Sequence, residues 1–270
     1  MWRMLVQSMR MGVEPLIDGG GRGLVWLAGE FVISVSSIVP PMVMALAIGR
    51  IGDWNRAQLI FLVGFSMTGR GIAQLCGGEN VMMISRKIAR GQLDHNLIQP
   101  IPLWKSLVIE GFGSIDLLIT IVLGLSCFTW GLMAEGRSDP IWWIAVVLNV
   151  VASATIVFAT QYLWGSMAFY FPQAAEEITT ITDSAISQLS ILPINGALPI
   201  VKAVLSSILP IAMIGSIPSY ILIHKTGATL FVVPIFATIY TLISLTIFNK
   251  GLQHYGKFSV SRYSSFGHRR

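Results

Sequence analysis

Six apolar stretches dominate the chain, at 24–48, 57–76, 107–133, 141–171, 197–223 and 228–248, and the breaks between them hold most of the charged residues. The hydrocarbon core of a bilayer, about 30 Å thick, is crossed by roughly 20 helical residues at about 1.5 Å each. Each stretch is long enough for one crossing, so the pattern predicts six transmembrane helices. In the fourth, Trp142 and Trp143 stand near one end and Tyr162, Trp164 and Tyr170 near the other. Trp143 and Trp164 fall about 31 Å apart along a helix, the separation of two interfacial aromatic belts. Pro40 and Pro41 in the first stretch, Pro199, Pro210 and Pro218 in the fifth and Pro234 in the sixth predict kinks. Gly215, Ser216 and Pro218 either begin a re-entrant turn or mark loose packing.

Three shorter segments carry helical periodicity of their own. At the start, Trp2, Leu5, Val6 and Met9 recur opposite Arg3, Gln7 and Arg10, which predicts a helix lying in the membrane interface within 1–23 rather than a secretory signal. In 81–102, Val81, Ile84 and Ile88 share one face while Arg86, Lys87 and Arg90 face away. Gly91 ends that helix, and a second short one from Leu93 to Ile98 is stopped by Pro100 and Pro102. This segment reads either as a helix pair on the lipid surface or as a docking element for a soluble partner. In 172–192, Glu176, Glu177 and Asp183 accompany Ile178, Ile181, Ala185 and Ile186 at helical spacing with no Lys or Arg, which predicts an acidic amphipathic helix.

Composition narrows the class further. Only 11% of the 270 residues are charged and 54% are hydrophobic, where a soluble domain carries about 25% charge. Most basic residues, among them Arg86, Lys87, Arg90, Lys105, Lys250 and Lys257, fall in breaks on one side of the predicted spans. Arg50, Arg56, Arg137 and Lys225 fall on the other. The positive-inside rule then puts both termini in the cytoplasm of a multi-pass plasma-membrane protein, of bacterial type. The formal net charge of +5 has this origin, so no nucleic-acid partner is expected. Cys76 and Cys127 are the only cysteines, both inside apolar runs, and the four histidines show no paired spacing, so no metal site is expected.

Ionisable groups inside spans are costly and are functional candidates by default. Glu30 and Arg70 lie at matching depth in the first two spans and are expected to pair. Glu110 and Lys202, near the ends of the third and fifth, either pair or snorkel to the interface. Asp116, about nine residues into the third span, stands either for a contact with substrate or proton or for an acid hydrogen-bonded to a neighbouring helix.

The string Gly91-Gln92-Leu93-Asp94-His95-Asn96-Leu97-Ile98-Gln99-Pro100 resembles the Gly-x-Leu-Asp-x-x-Leu-Leu-basic-Pro signature of six-span permeases of type-two ATP-binding-cassette exporters, with Gln99 in place of the basic residue. Leu192-Pro193-Ile194-Asn195-Gly196, Ile208-Leu209-Pro210-Ile211-Ala212 and Ile217-Pro218 are similar to that family's proline-marked fifth span. Gly251-Leu252-Gln253-His254-Tyr255 resembles its Gly-Leu-Arg-Arg-Tyr ending with both arginines replaced, and Tyr263-Ser264-Ser265 its Tyr-Ser-Ser portion, displaced. The resemblance implies a permease that pairs with a second permease, identical or a sister subunit, and with a nucleotide-binding ATPase that carries the ATP and magnesium. It makes the segment around Ile88 to Pro100 the coupling helix. Gly91 and Pro100 set its bends, Leu93 and Leu97 supply apolar contacts to the ATPase, and Asp94 caps the second helix or pairs with a basic group. On this reading a charge at Leu93 or Leu97 is expected to leave folding intact and uncouple transport from hydrolysis.

The chain itself is not expected to bind ATP. The string 251–258 approaches the pattern G-x-x-x-x-G-K-[ST], but Phe258 replaces the hydroxyl that would hold magnesium. No nucleophile with a base, paired acids or metal ligands converge, which sets an intramembrane enzyme aside. A secondary transporter driven by ions or protons remains the alternative, although no repeat relates the first three spans to the last three. The predicted organisation is all-α and a single permease domain over 1–270, with an interfacial helix in 1–23, six spans in 24–248 and a basic tail in 249–270 that lies against membrane lipids.

Overall fold

The computed structural model describes residues 21–110, 116–135, 139–194, 198–207, 209–224 and 226–266, so the predicted helix at the start of the chain lies outside the described residues. The first apolar stretch forms α1 (Gly21–Ile48), with Pro40 and Pro41 inside it. A small hairpin follows, β1 (Arg50–Ile51) and β2 (Trp54–Asn55), antiparallel with Arg50 opposite Asn55 and Ile51 opposite Trp54. Gly49 and Gly52 at φ 72° and 58° turn the chain where a side chain would strain it. Asn55 then starts α2 (Arg56–Leu75) through a capping box: its Oδ1 accepts from the Gln58 amide at 2.9 Å, and Gln58 Oε1 accepts from its own amide at 3.0 Å.

α2 is the middle of the molecule. Every residue from Gln58 to Gly69 is buried, and this explains why a predicted span can carry Gln58, Ser66, Thr68 and Arg70: its surroundings are protein, not lipid. It packs most closely on α7 (Asp116–Glu135), where Gly64 faces Gly124, Gly71 faces Ile121 and Gly131 faces Phe61, letting the backbones approach. α8 (Pro140–Gly165) starts at an Asp139 cap with Pro140 in its first turn and runs into a 3₁₀ turn, Ser166–Phe169. Its polar side chains reach other helices: Trp142 Nε1 donates to the Leu222 carbonyl at 2.8 Å and Asn149 Nδ2 to that of Leu230 at 2.9 Å.

The third predicted span is described as α6 (Leu103–Glu110) and α7, with 111–115 outside the described residues. The fifth divides into α10 (Pro199–Ser207), α11 (Ile211–Ile214) and α12 (Ser216–His224). Pro210 cannot extend α10, and backbone groups freed by the breaks find side chains instead. Ser153 Oγ donates to the Ile214 carbonyl at 2.6 Å, and the Ile194 amide donates to Ser216 Oγ at 3.0 Å. The last stretch, after a 3₁₀ turn at Gly227–Phe231, becomes α13 (Val232–Phe266). Its 35 residues reach about 52 Å, some 20 Å more than a bilayer needs. Among the described residues, Gly23–Val43, Pro140–Phe169 and Gly227–Lys257 are long and apolar enough to cross a membrane, and Leu118–Met133 is a shorter apolar helix. The protein is an all-α membrane protein; the two-residue strands are the only exception among the described residues.

Candidate functional site

Between α2 and α6 the chain makes an elbow from α3 (Gly78–Met82), α4 (Ile84–Ala89) and α5 (Gln92–Ile98). α4 closes on itself as the amides of Arg90 and Gly91 bond the carbonyls of Arg86 and Ile88. Gly91 at φ 69° turns the chain, as its place in the sequence predicts. α5 ends where Gln99 goes extended ahead of Pro100.

The elbow's inner face is an apolar plug. Val81, Ile84, Leu93, Leu103 and Leu107 are buried with Tyr162, Phe169 and Phe248, and Ile88 packs against them half-buried. Tyr162 anchors the plug by donating to the Trp104 carbonyl at 2.7 Å. Leu93 is fully enclosed at 0% exposure, whereas Leu97 is 40% and Ile98 83% exposed. Leu93 therefore fastens the elbow to the rest of the chain, which corrects its assignment as an outward contact. Ile98, not singled out by the sequence, is the most exposed apolar side chain on the elbow.

Polar ties fix the elbow to three helices. Arg86 pairs with Glu176 on α9 (Pro172–Leu189), donating from Nε at 2.7 Å and also from Nη2. Lys87 pairs with Glu110 at the end of α6. The Tyr255 hydroxyl of α13 donates to Asp94 Oδ1 at 3.2 Å. The Tyr255 hydroxyl is thus one partner of Asp94, and Glu110 is given to Lys87 rather than Lys202. No carboxylate among the described residues pairs with Lys202, which lies half-buried on α10. Tyr255 lies in the Gly251 to Tyr255 string already matched in the sequence, so that string was the available signal for it.

Hydrogen bonding from Arg86 holds the Glu176 carboxyl below its usual range, and Glu176 in turn raises Arg86. A carboxyl with a depressed pKa stabilises the fold above its unfolded pKa and stops doing so as pH falls through the folded value. The Arg86–Glu176 tie is accordingly expected to survive past the ordinary carboxylate titration and to release only in stronger acid. Thermal unfolding of the wild type and of Glu176→Gln across that range checks this: the wild type should show an acid-side loss that the variant lacks.

Deeper in the bundle, Arg70 Nη1 donates to the Ser187 carbonyl of α9 at 2.8 Å, with Asp183 within electrostatic reach. Asp183 also accepts from Gln161 Nε2 at 3.5 Å, and Ser66 Oγ donates to Ser190 Oγ at 2.6 Å. The sequence missed this seam because it treated 172–192 as lying apart from the spans, whereas α9 folds back against α2 and α8. Arg70 is thereby occupied by α9; the side chains of Glu30 and Asp116 lie outside the described residues, and with them the expected Glu30–Arg70 pair.

Two grooves open beside the elbow. One of about 510 Å³ is lined by Lys87, Arg90, Gly91, Gln92, His95, Asn96 and Glu110. The other, about 390 Å³, is acidic and runs along α9 past Gln173, Glu176, Glu177, Thr180 and Ile181. No group of three or more potential metal-ligating side chains occurs among the described residues. The elbow is thus a short helix with an exposed apolar end, held by its buried inner face and by three ties, to α9, α6 and α13.

A family model described as ABC-2 family transporter protein matches residues 31–259. No curated protein and no solved structure matches the chain.

Proposed function

The chain belongs to the ABC-2 family of transporter proteins, and on that premise we propose that it is the six-span permease subunit of an ATP-driven exporter. The spans in this reading are α1, α2, α7, α8, the broken α10–α12 unit and α13, with both termini in the cytoplasm of a bacterial plasma membrane. The one-sided distribution of basic residues supports that orientation. ATP and magnesium belong to a separate nucleotide-binding subunit. The phosphate-loop-like string 251–258 supports this assignment, since it lacks the required hydroxyl and lies within α13 rather than between a strand and a helix.

The observation that carries the reading is the elbow. Leu97 and Ile98 offer an apolar end to the ATPase, while Leu93 and the ties of Arg86, Lys87 and Asp94 pass its displacement to α9, α6 and α13. Closure of the ATPase pair then biases the bundle between two exposures of the path, which runs along the boundary with a second permease, the same chain or a sister. α10, in which no residue is buried although Ile200, Val201 and Val204 are apolar, supports a partner or lipid on that side. The acidic groove on α9 supplies a second contact with the ATPase.

Affinity purification of the tagged chain in mild detergent tests the proposal. A stoichiometric P-loop ATPase is expected with the wild type and is expected to be lost with Leu97→Arg/Ile98→Arg, while insertion and melting temperature stay unchanged. Retention of the ATPase by that variant removes the docking assignment. A chain that purifies alone in good yield without ATPase activity points to a secondary transporter instead.

A further inference from the structure

We propose that the groove between the elbow and the end of α6 is a binding site for an anionic phosphate group. Its volume, about 510 Å³, lies within the range of small-ligand clefts, and Lys87, Arg90, Gln92, His95 and Asn96 in its lining all carry side-chain donors. Arg90 presents a guanidinium fork, Gln92 and Asn96 present amides, and His95 presents a ring N–H. Charge-assisted hydrogen bonds from such groups suit phosphate oxygens.

The balance of charge favours an anion. Glu110 is the only carboxylate among the described residues of the lining, and Lys87, whose side chain is just 14% exposed, already neutralises it. That leaves Arg90, to which no carboxylate among the described residues is paired, and His95. Asn96 is only 6% exposed yet lines the groove.

The site is separate from the end of the elbow that meets the ATPase in our reading. At 100° per residue, Gln92, His95 and Asn96 share one face of α5, and Leu97, Ile98 and Asp94 lie on the other side. The groove also opens close to the membrane. Glu110 is the last residue of α6, and α7 enters the apolar region from Asp116. On α6, Lys105 Nζ sits 5.2 Å from the centroid of the Trp104 ring, an aromatic and a snorkelling cation of the kind that anchors helices at the interface. A phosphodiester of a membrane lipid and a soluble phosphate both meet this chemistry.

The full chain, purified in neutral detergent, is titrated with phosphatidylglycerol or phosphatidylcholine and the retained lipid is read by native mass spectrometry; inorganic phosphate is titrated in parallel by calorimetry. The wild type is expected to retain the anionic lipid preferentially. Arg90→Gln/His95→Gln should weaken retention by about tenfold or more, as expected for losing charge-assisted bonds, while Arg50→Gln on the far hairpin should not. Phosphate binding that the double variant loses, without lipid preference, supports the site with a soluble source. Equal retention of both lipids with no phosphate binding, or no change in the double variant, overturns the proposal and leaves Arg90 and His95 to a carboxylate of a protein partner. None of these results depends on an ATPase being present.

Discussion

Leu93→Arg should abolish the folded elbow, and with it most of the yield of protein able to assemble. Leu93 is fully enclosed within an apolar cluster that also holds Val81, Ile84, Leu103, Leu107, Tyr162, Phe169 and Phe248, none of them an acid to receive a guanidinium. Truncation alone, Leu93→Ala, is expected to cost about 2–5 kcal/mol through lost burial and the residual cavity. Arginine adds the cost of an unpaired buried charge, so the variant should be the more severe of the two. Leu97→Arg, four residues on and 40% exposed, should melt within error of the wild type. Detergent thermal unfolding and size-exclusion yield separate the two positions. Near-normal melting for Leu93→Arg would mean that the side chain faces outward, as the sequence motif alone suggests, and would return it to the docking surface.

That contrast marks how far periodicity reaches. The elbow's two helices, their Gly91 hinge and their proline stop are all readable from residues 81–102, because a left-handed turn and a proline act locally. Which leucine faces inward is not readable, since it depends on α8 and α13 arriving from more than 60 residues away to cover one face. The same limit explains the charges. Matching depths in the first two spans suggest Glu30 for Arg70, a pair that lies outside the described residues, but depth along those two helices gives no sign of α9, which brings the Ser187 carbonyl and Asp183 to Arg70. The apolar runs at 24–48, 141–171 and 228–248 coincide with helices long and apolar enough to cross a membrane. The pattern overstated continuity at 197–223, where the chain is mostly apolar but local breaks are satisfied by neighbouring side chains such as Ser153 and Ser216. Tyr255 shows the opposite case: a residue seen only as part of a terminal string becomes meaningful once α13 runs past the bilayer and meets Asp94.

Gly64→Ala should destabilise the bundle by about 3 kcal/mol or more, although it adds a single methyl group. A Cβ at Gly64 would lie 2.2 Å from the Phe128 amide nitrogen, 2.7 Å from the Gly124 carbonyl oxygen and 2.8 Å from the Cys127 carbonyl carbon. All three are backbone atoms of α7, so no rotamer change relieves the clash and the two helices must separate. Separation would also disturb the clustered Phe61, Phe65 and Phe128 rings beside the contact, whose centroids lie 5.0–6.1 Å apart. In lipid there is no hydrophobic drive to close the gap again, because helix association there rests on close van der Waals fit. Gly256→Ala is the matched control: it is also helical, a Cβ there meets nothing within 4 Å, and the substitution should be neutral or stabilise by about 0.5–1 kcal/mol. Melting temperatures that fall for Gly64→Ala and hold for Gly256→Ala would locate the α2–α7 seam as a spine of the bundle. Equal melting of the two variants would mean that α7 stands farther from α2 than the glycine contacts describe.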